Sequence, residues 1–200
     1  MPSPPPPIAE LLAQLERAFA RQGVRWFLFG AQAAILHGVA RLTADIDVTV
    51  DLGARSSAEL VGALAEAGFD LRVGDVAGFV EATRVLPFVH RASRIPVDVV
   101  LAGPGLEEQF FARVEERLVG AARVPVAAAE DLVAMKILAG RPRDLDDVAA
   151  IIRARRDTLD VPRIRATLGL LEGALDRRDL QTELDRLVML ARRPAPPPSA

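Results

Sequence analysis

Apolar residues along this chain follow two rhythms, and the switches between them mark out its elements. In "IAELLAQLERAFARQG" (8–23), Ile8, Leu11, Leu12, Leu15, Ala18 and Phe19 recur at helical spacing and Gly23 closes the segment. "VRWFLFG" (24–30) is a short apolar run ended by glycine, the form of a buried strand. "AQAAILHG" (31–38) predicts a short helix. "DIDVTVD" (45–51) alternates strictly, which predicts a strand with two unlike faces. "SSAELVGALAEAGF" (56–69) predicts a helix capped by Ser56, with Glu59 in the capping-box position. "ATRVLPFVHR" (82–91) and "RIPVDVVLAG" (94–103) predict two neighbouring strands. "LEEQFFARVEERLV" (106–119) has the spacing of an amphipathic helix, or of part of one. "ARVPVA" (122–127) predicts an edge strand limited by Pro125. From Ala129 every periodic segment is helical: "AEDLVAMKILAG", "RDLDDVAAIIRARR", "VPRIRATLGLLEGAL" and "LQTELDRLVMLAR".

These elements predict an α+β fold: a mixed sheet with flanking helices, followed by a helical C-terminal part. The expected organisation is a proline-rich tail at 1–7, a core at 8–128, a helical part at 129–192 and a second proline-rich tail at 193–200. Both tails are too poor in apolar side chains to pack and are expected to be disordered. Half of the 200 residues are hydrophobic, enough for a sizeable core. A net charge of −2 gives no nucleic-acid coat or membrane-surface character. There is no cysteine, which excludes a disulfide framework and a thiol nucleophile. No apolar run is long enough for a membrane span, and the N-terminus lacks the form of a signal peptide. A soluble, cytoplasmic protein is expected.

The strand at 45–51 carries an anomaly. Asp45 and Asp47 interrupt an apolar segment, and residues two apart on a strand project to one face. Their Cα atoms would lie roughly 6.5 to 7 Å apart at ~3.3 Å rise per residue, with Ile46, Val48 and Val50 turned into the core. Two carboxylates so placed repel each other unless something positive lies between them. A hard divalent cation such as Mg²⁺ or Mn²⁺ suits oxygen ligands in this arrangement. Asp98, flanked by valines on a strand with no other acid, is a candidate third carboxylate. Read alone, an Asp-x-Asp pair is common and belongs to a solvated face or to capping.

Two surrounding features favour the metal reading. In "FLFGAQAAILHG" a strand ends at Gly30 and a helix begins at once, which leaves helix-opening amides free beside a residue with no side chain. Among 25 lysines and arginines, only Lys136 is a lysine. An ammonium is a compact point charge that arginine does not replace equally at a phosphate.

In this order, "FGAQAAILHGVARLTADIDVTVD", "RIPVDVVLA" and "AEDLVAMKILAGRPRDLDDVAAII" resemble the minimal nucleotidyltransferases of the DNA polymerase beta superfamily. The likeness is strongest to the group containing the AbiEii toxins and related toxin–antitoxin nucleotidyltransferases, and it spans roughly residues 25 to 152. The resemblance implies Mg²⁺-dependent transfer of a nucleoside monophosphate from a nucleoside triphosphate to an acceptor hydroxyl. It places Asp45 and Asp47 as the metal pair and Asp98 as the third carboxylate, which helps deprotonate the acceptor. Gly30 matches the start of the family's Gly-Ser or Gly-Gly turn around the triphosphate, although Ala31 here replaces the second residue. Gln32 would supply a side-chain donor in its stead. Lys136 matches a helical lysine that reaches the phosphates, and Arg41 and Thr43 match an Arg-x-(Ser/Thr)-x-Asp lead-in. The acceptor implied is a tRNA 3′ end, a protein hydroxyl or a small molecule such as an aminoglycoside. A cognate antitoxin is an implied partner.

Other polar residues have simpler readings. His37 is expected to be packed or capping, His90 exposed near a strand end, and Asp51 at a rim or turn. Pro142 suits a helix start with Asp144, Asp146 and Asp147 in its first turn. Asp144 and Arg143 also match a family motif beside the site. "RARR" (153–156) reads as a solvated helix end or an RNA-phosphate contact. Two alternatives to an enzyme stand beside this reading: a non-catalytic, antitoxin-like binding module on the same fold, and a plain structural domain.

Overall fold

A computed structural model describes residues 7–192. The expected tails lie outside these residues except for Pro7, which opens the first helix. In chain order the elements are α1 (Pro7–Gln22), β1 (Arg25–Phe29), α2 (Gly30–Leu36), β2 (Ile46–Asp51), α3 (Ser57–Glu66), β3 (Phe69–Leu71), α4 (Val76–Thr83), β4 (Val85–His90), β5 (Pro96–Leu101), α5 (Leu106–Phe111), β6 (Glu115–Val119), β7 (Ala122–Val126), α6 (Ala129–Ala139), α7 (Pro142–Ala154), α8 (Val161–Leu175) and α9 (Leu180–Arg192). They form two compact units, one of residues 7–32 and 42–128, the other of 33–41 and 129–192.

The first unit holds a seven-stranded mixed sheet in the order β3-β4-β5-β2-β1-β7-β6. Strict alternation puts β2 near its middle: Ile46, Val48 and Val50 are wholly buried, while Asp47 and Asp51 on the opposite face stay half-buried. β2 pairs antiparallel with β1 and parallel with β5, and β4 is the antiparallel neighbour of β5. Helix α1 turns its stripe of Leu11, Leu12, Leu15 and Phe19 inward, and Phe19 meets Trp26 of β1 at 5.2 Å between ring centroids. Each such side chain contributes roughly 1.5–3 kcal/mol on burial, so this stripe fixes the helix. α3 opens with the capping box read from the sequence: the Ser56 hydroxyl accepts from the Glu59 amide, and Glu59 accepts from the Ser56 amide at 2.7 Å.

One expectation is narrowed here and one corrected. Of residues 106–119 only the first part is helical. α5 ends at Phe111, whose ring packs on Phe27 at 4.9 Å, and β6 follows with alternating exposure. β7 is not an edge strand: it lies between β1 and β6, and β6 is the edge. Gly120 (φ +62°) opens the two-residue turn of this hairpin, the Gly-first preference of a type II′ turn. Pro125 is tolerated because β7 meets β1 only through Val126, and the bond to Leu28 is donated by the Ala127 amide at 2.9 Å. The short elements β3 and α4 had no distinct sequence signal.

The second unit is helical. α6 is buried at eight of its eleven positions and contacts α7, α8 and α9. α7 contributes Val148, Ile151 and Ile152, α8 Ile164 and Leu168, and α9 Leu180, Leu184 and Leu187, each at the i, i+3, i+4 or i+7 spacing of one helix face. Pro142 sits in the first turn of α7. α8 is capped by Asp160, whose carboxylate accepts from the Arg163 amide at 3.0 Å.

Candidate active site

The parallel register of β2 and β5 sets Asp47 directly opposite Asp98. Side chains paired across neighbouring strands share a face, and their Cα atoms are ~4.8 Å apart. Asp47 is also opposite Phe29, the last residue of β1. Asp45 lies one residue before β2 and is exposed. Its carboxylate accepts a hydrogen bond from the Thr43 hydroxyl.

Gly30 follows Phe29 and begins α2 with φ +68°. A β-carbon built on it would stand 2.8 Å from Cγ and 2.9 Å from Cβ of Asp47, and closer still to Oδ2. The backbone of Gly30 and the Asp47 carboxylate are therefore in direct apposition, which only glycine permits. Ala31 and Gln32 occupy the following positions of the same turn. Gln32 is 7% exposed, and its amide oxygen is buried with no hydrogen-bond partner among the described residues.

Arg72, which follows β3, carries no sign of a role in the sequence. Its Nε donates to the Phe88 carbonyl at 2.9 Å and its Nη2 donates to Asp98 Oδ1. No periodicity or motif distinguishes this arginine from the others. The oxygen donors present suit a hard cation, and the Asp47–Asp98 register suits a shared one. Closure is incomplete: among the described residues no group of three Asp, Glu, His or Cys side chains is drawn together to hold an ion. Asp45 is engaged by Thr43 and Asp98 by Arg72.

Arg41 and Lys136 belong to the second unit and share one ionic cluster there. The Lys136 ammonium is 4% exposed and donates to Asp144 at 3.0 Å and to Asp147 at 2.8 Å. Arg41 Nη1 donates to the same Asp147 oxygen at 2.7 Å. The capping expectation for Asp144 and Asp147 is thereby corrected: the N-cap position of α7 is Arg141, without a side-chain cap, and both acids face inward onto Lys136. A buried ammonium costs several kcal/mol unless paired, which these carboxylates provide.

His90 is buried, not exposed. Its Nε2 lies 3.0 Å from Gln14 Oε1 and its Nδ1 2.7 Å from the Ser93 hydroxyl, and burial lowers its pKa. His37 is buried, with Arg155 Nη1 3.3 Å from its Nδ1, so one arginine of "RARR" is packed rather than free for phosphate. Asp51 closes the turn after β2 by accepting from the Gly53 amide at 2.9 Å and also receives Arg25. The Gly53 amide and the Arg25 guanidinium hold its carboxyl below the usual range.

Comparison with known proteins bears on this geometry. A family model described as the nucleotidyl transferase AbiEii toxin of a type IV toxin–antitoxin system matches residues 11–197. Among solved structures, the antibiotic-resistance factor ANT(2″)-Ia superposes with a TM-score of 0.59 at 13% identity, over 90% of this chain and 97% of that one. An antigenic nucleotidyltransferase-like protein from Paracoccidioides brasiliensis gives 0.55 at 16% identity, over 89% and 92%. The lincosamide antibiotic adenylyltransferase LnuA gives 0.50 at 14% identity, over 74% and 96%. At these identities the likeness is one of fold. No curated protein matches the chain in sequence.

Proposed function

The chain belongs to the nucleotidyl transferase AbiEii toxin family, and from that premise we propose that it moves a nucleoside monophosphate from a nucleoside triphosphate to an acceptor hydroxyl. The observation that carries the reading is the apposition of Gly30 to Asp47, with Asp98 in register beside it. The missing side chain lets the turn that opens α2 lie directly against the Asp47 carboxylate, so a triphosphate held at that turn would stand beside the proposed metal ligands. In this proposal Asp45, Asp47 and Asp98 hold Mg²⁺ or Mn²⁺, which when bound offsets the negative charge of the phosphates. Gly30, Ala31 and Gln32 line the triphosphate, and Thr43 orients Asp45. The acceptor oxygen forms a bond to the α-phosphorus, the bond to the β-phosphate breaks, and pyrophosphate leaves. Asp98 receives the acceptor's proton.

Lys136 and Arg41 enter the proposal as phosphate-side cations through the family resemblance. In the fold Lys136 is held by Asp144 and Asp147. Lys136→Ala and Lys136→Arg decide the matter. A loss of triphosphate affinity of ~10-fold or more, the scale of one charge-assisted contact, assigns Lys136 to the nucleotide. A loss of stability with affinity unchanged assigns it to the cluster alone.

The proposed biological setting is the toxin-like component of a cytoplasmic toxin–antitoxin or phage-defence system, with a cognate antitoxin as partner. No helix among the described residues is long and apolar enough to cross a membrane. The proposed acceptor is a tRNA 3′ end or a protein hydroxyl. A small-molecule acceptor is the second reading, favoured by the fold shared with ANT(2″)-Ia and LnuA. The test incubates the protein with each labelled nucleoside triphosphate and, separately, total tRNA, cell protein and aminoglycosides. Label is expected in one fraction and is expected to vanish with Asp45→Asn and Asp47→Asn. Equal labelling by the double variant would remove these aspartates from the reaction. No labelling of any fraction by the wild type would favour the non-catalytic, antitoxin-like module.

A further inference from the structure

Three features of the sheet face concern a residue that the proposed reaction does not use. Asp47 and Asp98 are forced side by side by the β2–β5 register, and Asp45 stands at the mouth of the same strand. That is three carboxylates to be balanced. Arg72 is the cation on Asp98. It is also anchored independently: its Nε donates to the Phe88 carbonyl, and its backbone amide donates to the Pro87 carbonyl at 2.9 Å. Pro87 is the residue opposite Asp98 on β4. Arg72 is thus held by the strand next to Asp98 at two points, and only its Nη2 end is spent on the carboxylate.

We propose that Arg72 is the resident counter-ion of the carboxylate cluster: it holds Asp98 in the metal-free protein and yields that oxygen when a divalent cation binds. The inference rests on the metal reading given above and adds a positioning residue that acts through Asp98. Its physical basis is competition for one ligand oxygen. Asp98 Oδ1 accepts from the guanidinium, and a carboxylate oxygen so engaged is a poorer ligand to a cation. The guanidinium and the carboxylate are 39% and 40% exposed, so the pair is partly screened by water and exchange is inexpensive. The same contact accounts for the part of Asp98 in the incomplete closure, while Asp45 is engaged by Thr43.

The sign of one measurement separates this role from a merely structural one. If Arg72 competes with the cation, Arg72→Met binds Mn²⁺ more tightly than wild type, by about three- to tenfold for a partly exposed charged hydrogen bond. If Arg72 only braces Asp98, the same change loosens the carboxylate and weakens binding. Arg72→Gln, which keeps a hydrogen-bond donor without the charge, is expected between wild type and Arg72→Met. Arg91→Met is the control for general charge, because Arg91 pairs with Asp70 on the same side of the sheet and not with Asp98; it is expected to shift affinity less than twofold. The experiment is calorimetric titration of Mn²⁺ into the full chain for wild type and the three variants, with thermal unfolding in chelator as the check on folding. Tighter binding by Arg72→Met, with Arg91→Met unchanged, supports the proposal. Equal or weaker binding by Arg72→Met overturns it and leaves the metal site standing. An equal gain in Arg91→Met also overturns it, because the effect is then one of net charge. Absence of Mn²⁺ binding in wild type and in every variant overturns the metal reading and this inference together.

Discussion

Gly30→Ala probes the contact on which the candidate site is built, and its cost has two parts. The first part is conformational: φ is +68°, and an L-residue in the left-handed region costs roughly 1–2 kcal/mol. The second part is steric. The new methyl would sit 2.8 Å from Cγ and 2.9 Å from Cβ of Asp47, too near for the carboxylate to stay. Driving that side chain off its rotamer costs roughly 0.5–1.5 kcal/mol more. The expected sum is about 1.5 to 3.5 kcal/mol, a fall in Tm of about 3 to 14 °C for a chain of this length. Asp47→Ala removes Cγ and the oxygens, so in that background Gly30→Ala should retain only its conformational cost and the residual Cβ contact. The assay is a double-mutant cycle by denaturant unfolding of wild type, both single variants and the double variant. A coupling of about 0.5 kcal/mol or more is expected. Additivity within ~0.3 kcal/mol would mean that Gly30 and Asp47 do not touch.

Mg²⁺ or Mn²⁺ should raise the melting temperature of the wild type, since ligand binding to the folded state alone stabilises it; Asp45→Asn with Asp47→Asn should abolish that shift, and scanning calorimetry with and without metal checks both. Lys136→Met should cost about 3–5 kcal/mol in denaturant unfolding, because Asp144 and Asp147 are left with a buried charge that Arg41 alone does not balance. His90 has a folded pKa below its ordinary value of 6.5 because burial disfavours the imidazolium. Its contribution to stability is therefore complete above about 6.5 and is lost as pH falls through the folded pKa. His90→Gln should flatten the stability profile in that window, as followed by denaturation at a series of pH values.

Where one physical rule dominated, the fold was legible in the sequence. The strict alternation of 46–51 and its buried valines, the Ser56–Glu59 capping box, and the helical stripes from Ala129 to Arg192 each satisfied a local rule that packing did not override. The end of the helix within 106–119 was hard to read because Phe110 and Phe111 continue a helical stripe toward "VEERLV", which has no apolar alternation of its own: Leu118 is exposed, and Glu115, Arg117 and Val119 are the half-buried positions of β6. The two-residue Gly120–Ala121 turn was the signal that could have separated them. At the site, register could not be read from one strand, yet the isolation of Asp98 among valines pointed to the strand that pairs with Asp47. Long-range partners were beyond reach. The Arg72 contact to Asp98 crosses 26 positions and the Arg41 contact to Asp147 crosses 106. The burial of His90 depends on Gln14, 76 residues away.

The central claim is transfer of a nucleoside monophosphate, and the position of the label tests it most directly. The same nucleoside triphosphate is supplied labelled either at the α-phosphate or at the γ-phosphate, with the acceptor fraction that gives the strongest signal and with Mg²⁺ present. The proposed reaction carries the α-label into the acceptor and releases the γ-label as pyrophosphate, and Asp45→Asn with Asp47→Asn does neither. Recovery of the γ-label on the acceptor, with the α-label left in a nucleoside diphosphate, would make the protein a phosphotransferase and contradict the account.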